Sequence, residues 1–220
     1  SDVCSSDLAD AARPARPDRG APRAKGASLG EILRTAGVLR AIAVSTTVIS
    51  AIDIMVIYLP ALGEERHWSP GLIGTLLALR AGASVLSRLA LAPAAARFTR
   101  RTLLTSSMAI SAVALMAIPF IEAAPLMAVL MVASGAGLGI GQPLSLSWIA
   151  ATAAPGARAT ALSVRLMGNR VGQIALPIAA GTVAASAGAA GVLGVTGLVV
   201  GVSLAMVYGG LGASRPAAAR

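Results

Sequence analysis

The sequence predicts an all-α polytopic membrane protein with six transmembrane helices, and three observations predict it. Hydrophobic side chains make up 56% of the 220 residues and charged ones only 12%. Mean hydropathy is +0.79. The charges that exist fall mostly in gaps between long apolar runs. Such a composition does not fit a water-facing surface. Collagen-like, disulfide-rich and disordered classes are excluded as well. Glycine has no triplet period, the chain has one cysteine, and apolar content is too high.

Each element follows from an apolar run longer than the roughly 20 residues that cross a bilayer. Leu39 to Leu62 has one interior charge, Asp53, with Arg40 at its edge, and Ser69 to Ala96 has two, Arg80 and Arg88. Thr102 to Ile121 and Pro125 to Ala150 have none. Ala159 to Ala185 carries Arg165 and Arg170, and Gly188 to Gly212 is again uncharged. Strands fit less well, because a transmembrane barrel shows segments of roughly 10 residues with alternating polarity. The six-helix bundle is therefore expected over residues 39–212. Abundant Ala and Gly suit close helix packing in lipid.

The loops give the orientation. Of the 18 Lys and Arg, seven lie between Arg13 and Arg40, three in the second loop (Arg97, Arg100, Arg101), one in the fourth (Arg158) and two in the tail (Arg215, Arg220). The alternate loops carry Arg66 beside Glu64 and Glu65, then Glu122, then no charge. The positive-inside rule places both termini in the cytoplasm. This accounts for the net charge of +9 without nucleic acid as a partner. The lipid bilayer is the partner implied, and a basic tail also attracts anionic lipid.

Residues 9–38, with Pro14, Pro17, Pro22 and interleaved Arg and Lys, read as a basic cytoplasmic linker rather than a signal peptide, which needs an apolar centre. Residues 1–8 look like translated adapter sequence, so Cys4 is expected to be non-native. Residues 213–220 form a cytoplasmic tail. His67 has no partner ligands nearby, so no metal and no cofactor is expected.

Charges inside a bilayer cost about 2.5 to 3.5 kcal/mol each on insertion scales, which makes central ones functional candidates. Asp53 lies about fourteen residues into the first span, and Arg80 and Arg170 about eleven into the second and fifth. All three fall near mid-membrane. An acid and two bases at that depth suit an interior ion pair, a proton-coupling site or a socket for a charged substrate. An ion pair that only fixes packing is the structural alternative.

Helical spacing supports a polar lining. Thr46, Ser50 and Asp53 share one face of the first span, and Arg80, Ser84, Ser87 and Arg88 a face of the second. In the fifth, Arg165, Asn169 and Gln173 recur every four residues beside the small pair Gly168 and Gly172. Such polar residues also serve as plain interhelical hydrogen-bonding glue. Arg88 and Arg165, nearer the cytoplasmic ends, can snorkel to headgroups. In the fourth span Gly135, Gly137, Gly139 and Gly141 precede Gln142 and Pro143, so close approach and a bend are expected there. Gly172, Pro177 and Gly181 mark the fifth as bent or closely packed. This glycine run is no phosphate loop, since no Gly-Lys-Ser/Thr follows it. No nucleophile elbow, metal cluster or catalytic dyad supports an enzyme.

These features together resemble one half of a major facilitator superfamily transporter, the C-terminal half of a bacterial efflux-type member. Arg97-Phe98-Thr99-Arg100-Arg101 resembles the family's gating loop, with Ala96 where the motif has Asp and Thr99 where it has Gly. Gly139 to Ser145, Pro155 to Leu162 and Arg165 to Gln173 resemble its tenth and eleventh helices, and Gly172, Pro177 and Gly181 the second-half counterpart of its antiporter motif. The resemblance covers roughly Gly30 to Gly212. It implies secondary transport by alternating access with binding near the midplane between two six-helix bundles, hence a missing N-terminal half as partner. The function expected is proton-coupled export of a small molecule across the bacterial inner membrane. Asp53 is then the proton-responsive acid, Arg80 or Arg170 its partner or a substrate contact, and Gln142 and Asn169 polar cavity contacts. Two alternatives stand beside it: a six-span half-transporter acting as a homodimer, and a non-transporting membrane scaffold. Substrate and direction of transport are not encoded in these residues.

Overall fold

The computed structural model describes residues 36–152 and 157–212. The adapter-like segment, most of the linker and the tail lie outside them. The helices are α1 (Ala36–Glu65), α2 (Pro70–Leu89), the short α3 (Leu91–Arg97), α4 (Arg100–Ala117), a 3-10 turn (Ile118–Phe120), α5 (Ala124–Thr152) and α6 (Arg158–Gly212). Five helices among the described residues are long and apolar enough to cross a membrane.

The expected six runs thus appear as five long helical stretches among the described residues, because the last two are joined. α6 divides at Gly188, whose backbone is not helical (φ 63, ψ −172). Contacts with α1 show a reversal of direction there. Along the first limb, residues 158–187, Asn169 meets Ser45 and Gln173 meets Asp53, so the limb runs parallel to α1. Along the second limb, residues 189–212, Ala189 meets Glu65 and Ser203 meets Thr47, so it runs back. α6 is a helical hairpin, with its apex held at the end of α1.

Element ends follow local chemistry. α1 is described from Ala36, and Val38 is buried with Ala41 and Ile42. Ser69 caps α2, its hydroxyl accepting from the Leu72 N–H, with Pro70 in the first turn. The second expected span breaks after Leu89, because Pro93 has no N–H to return to the Leu89 carbonyl. Thr99 caps α4 by accepting from the Thr102 N–H at 3.2 Å, and Pro119 tightens its far end into the 3-10 turn.

The core is built from Met55, Leu59, Leu104, Leu115, Met131 and Ile149, all fully buried. α5 sits at the centre, packed on α1, α2 and α4. Its glycines permit this: a Cβ at Gly135 would overlap the Arg80 carbonyl oxygen, and one at Gly139 would stand 2.6 Å from Ser87 Oγ. The outer surface keeps large apolar side chains such as Leu89, Phe120 and Ile174 exposed, as a lipid-facing bundle requires.

Candidate functional site

Asp53 is half-buried on α1. Its Oδ2 accepts from Gln173 Nε2 at 2.8 Å, and Gln173 Oε1 accepts from Arg170 Nη1 at 2.9 Å. The first limb of α6 places Arg170 and Gln173 three residues apart, one helical turn, so both reach one face. The result is a carboxylate, amide and guanidinium chain crossing from α1 to α6. Gln173 uses both ends of its amide, which orients it and links the acid to the base.

Arg80, on α2, is 9% exposed. Its Nε is buried with no hydrogen-bond partner, and the carboxylate that acts on it electrostatically is Asp53. Acid, amide and two arginines therefore share one region of the bundle. In the sequence Gln173 ends a polar stripe, marked by its four-residue step from Asn169.

Asn169 is buried one turn before Gln173, where its Oδ1 accepts from Ser45 Oγ at 3.1 Å and Thr46 Oγ1 at 3.3 Å. These bonds lock α6 to α1. Gly172 beside it lets the helices touch, since a Cβ would overlap Thr46 Cγ2, and at Gly168 one would stand 2.9 Å from Ile42 Cγ2. Gly141 packs against Val48, whereas Gly181 has no neighbour within 4 Å of where a Cβ would stand.

Gln142 lies elsewhere, on α5 near Arg88 and Arg165. α5 runs unbroken through Pro143, which leaves the Gly139 carbonyl without its helical donor. Arg88 Nε donates to that carbonyl at 3.2 Å. Arg165 is 8% exposed and donates to Ser145 Oγ at 3.3 Å, so it is turned inward rather than toward headgroups. In the basic loop, Arg100 donates to the Ser147 carbonyl and Arg101 lies 5.5 Å over the Tyr208 ring, while Arg97 is exposed.

The opposite end holds residues that sequence reasoning treated as plain loop. Arg66 donates to the carbonyls of Ile118, Pro119 and Ile121 and sits 5.5 Å from the Trp68 ring. Among the described residues no group of three or more His, Cys, Asp or Glu gathers. A family model described as Major Facilitator Superfamily matches residues 40–220. No curated protein matches the chain.

Proposed function

The chain belongs to the major facilitator superfamily, a family of membrane transporters, and from that premise we propose that it is the C-terminal six-helix half of a proton-coupled permease that exports a small molecule. In this reading both limbs of α6 cross the membrane, the end bearing Arg97, Arg100, Arg101 and Arg158 faces the cytoplasm, and the membrane is the bacterial inner one. A first six-helix half completes the binding cavity.

The chain from Arg170 through Gln173 to Asp53 carries this proposal. A carboxylate in the middle of a span is costly when charged, so the partners that hold it matter. While ionised, it holds Gln173 by a charge-assisted hydrogen bond and, through Gln173, biases Arg170. Once protonated, it ceases to offset the charge of Arg80 and weakens its hold on the amide. A proton arriving at Asp53 thus changes which partners the arginines prefer, which is what coupling requires. Buried Arg80, with Nε unpaired, is the group left to meet an anionic part of a substrate. Gln142 and Asn169 serve as polar contacts along the pathway.

The test is Asp53→Asn in the complete permease, reconstituted in proteoliposomes under an imposed pH gradient and offered a panel of small organic substrates. Gradient-driven transport is expected to vanish while exchange without a gradient survives. If the variant responded to the gradient as the parent does, the proton role of Asp53 would be wrong.

A further inference from the structure

A second cluster of charges lies at the basic end of the bundle, where α2, α3, α5 and the first limb of α6 surround a cavity of about 300 Å³ lined by Arg88, Leu91, Gln142, Pro143, Leu146 and Arg165. That size is at the lower end of small-ligand pockets. The lining holds two guanidinium groups and no carboxylate. None of Asp53, Arg80, Arg170 or Gln173 borders it.

Both arginines are held in place by contacts that leave their charge unmatched. Ser145 donates its own hydroxyl proton to the Gln142 carbonyl at 2.8 Å, so toward Arg165 Nη2 it acts as acceptor. Arg165 Nε is buried without a partner. An unsatisfied buried donor is costly, more so when charged. Arg88 spends Nε on the carbonyl freed by Pro143 and makes no other hydrogen bond to a described residue. Of the chain's nine acidic residues, four are among the described ones. Asp53 is engaged by Gln173, and Glu64, Glu65 and Glu122 lie at the other end of the bundle, around the α1 terminus and the start of α5. Two like charges facing one cavity repel unless an anion joins them.

We propose that this cavity binds a phosphate group, carried by a soluble phosphate ester or by a lipid headgroup. Tetrahedral oxyanions match the planar donor fork of arginine, which offers paired N–H groups. Arg165 supplies a positive charge from the wall, Arg88 supplies its terminal nitrogens from the rim, and the Gln142 amide adds a neutral donor. Leu91 and Leu146 form apolar parts of the remaining wall. Fixing α5 to α2 and α6 at this end, the anion would stabilise the bundle whether or not transport through Asp53 is proton-coupled.

Purified protein in detergent is titrated with inorganic phosphate at constant ionic strength, with chloride as balance, and its melting temperature followed. In parallel, delipidated protein is offered phosphatidylglycerol and phosphatidylcholine, and retained lipid counted by native mass spectrometry. Arg165→Gln is compared with Arg158→Gln, which removes an exposed charge outside the cavity. A phosphate-dependent rise in wild type and Arg158→Gln, weakened about tenfold or more in apparent affinity by Arg165→Gln, supports the site with a soluble ligand. Selective retention of phosphatidylglycerol, lost only in Arg165→Gln, supports it with a lipid ligand. Should Arg165→Gln fail to fold, Arg88→Gln at its exposed side chain carries the same comparison. No response to either probe, or a response equal in wild type and cavity variants, overturns the proposal and leaves a protein carboxylate as the counter-charge.

Discussion

Arg88 on α2 donates through Nε to the Gly139 carbonyl of α5 at 3.2 Å, the carbonyl that Pro143 leaves without its helical N–H. The bond repairs a break in one helix with a side chain from its neighbour. It also explains why a polar terminus is held so close to an apolar helix. The proline and the arginine are therefore one feature split over 55 residues.

That pairing predicts non-additivity. Arg88→Ala alone should destabilise, because it orphans the Gly139 carbonyl. Once Pro143→Ala restores a backbone N–H, the same change should cost less. A double-mutant cycle by thermal unfolding in detergent should give a coupling of about 0.5–1.5 kcal/mol. Additive costs would mean the carbonyl has another donor.

Gln173 allows a second cycle. Gln173→Leu strips half-buried Asp53 of the N–H it accepts, at a cost of about 1 kcal/mol, and exposed Arg170 of its acceptor at a smaller cost. Asp53→Leu combined with it removes the carboxylate too, so the double variant should be more stable than Gln173→Leu alone. Melting temperatures of the three variants decide it. Equal destabilisation in the single and double variants would show that Gln173 holds α6 by packing rather than through the acid.

Much of this was legible in the sequence, for a physical reason. Hydropathy sees lipid exposure directly, so the apolar runs marked the helices, and the cost of intramembrane charge singled out Asp53, Arg80 and Arg170. The periodic step from Asn169 to Gln173 marked the right face. What one-dimensional reading missed are contacts between distant segments. By depth alone Arg165 can reach headgroups, but Ser145 holds it inward, and Arg66 and Glu65, loop charges in the sequence, bind other elements. The break before α3 was readable from Pro93 and was overlooked because hydropathy continues across it. The last two runs, ending at Ala185 and starting at Gly188, meet at the residue where α6 leaves helical geometry.

Two glycines, Gly135 at the α2 and α5 crossing and Gly181 on α6, lead to opposite outcomes. Gly135→Ala would drive a Cβ into the Arg80 carbonyl, with backbone on both sides and no flexible end to yield. Overpacking of this kind costs about 1–3 kcal/mol. Gly181→Ala meets nothing within 4 Å and exchanges a poor helix former for the best one, a gain of about 0.5–1 kcal/mol. Melting temperature should fall for the first and rise for the second. A rise for Gly135→Ala would place the two helices farther apart than described.

The hairpin apex depends on Gly188 and Glu65 together. With φ 63 and ψ −172, Gly188 occupies a region essentially reserved for glycine, and forcing another residue there costs about 1–3 kcal/mol. Its neighbour Ala189 opens the second limb with an N–H donated to Glu65 Oε1 at 2.9 Å. The carboxylate thus caps a helix from another element and also meets the positive end of its dipole. Gly188→Ala should destabilise through the backbone and through crowding, since a Cβ would stand 3.1 Å from Glu65 Oε1. Glu65→Ala should cost about 0.5–2 kcal/mol as a lost cap, and Glu65→Gln less, because an amide oxygen still accepts. The order Ala below Gln below wild type in melting temperature is the expected outcome. Equal values for Glu65→Gln and Glu65→Ala would reduce the contact to its charge, and equal values for Glu65→Ala and wild type would leave the reversal resting on Gly188 alone.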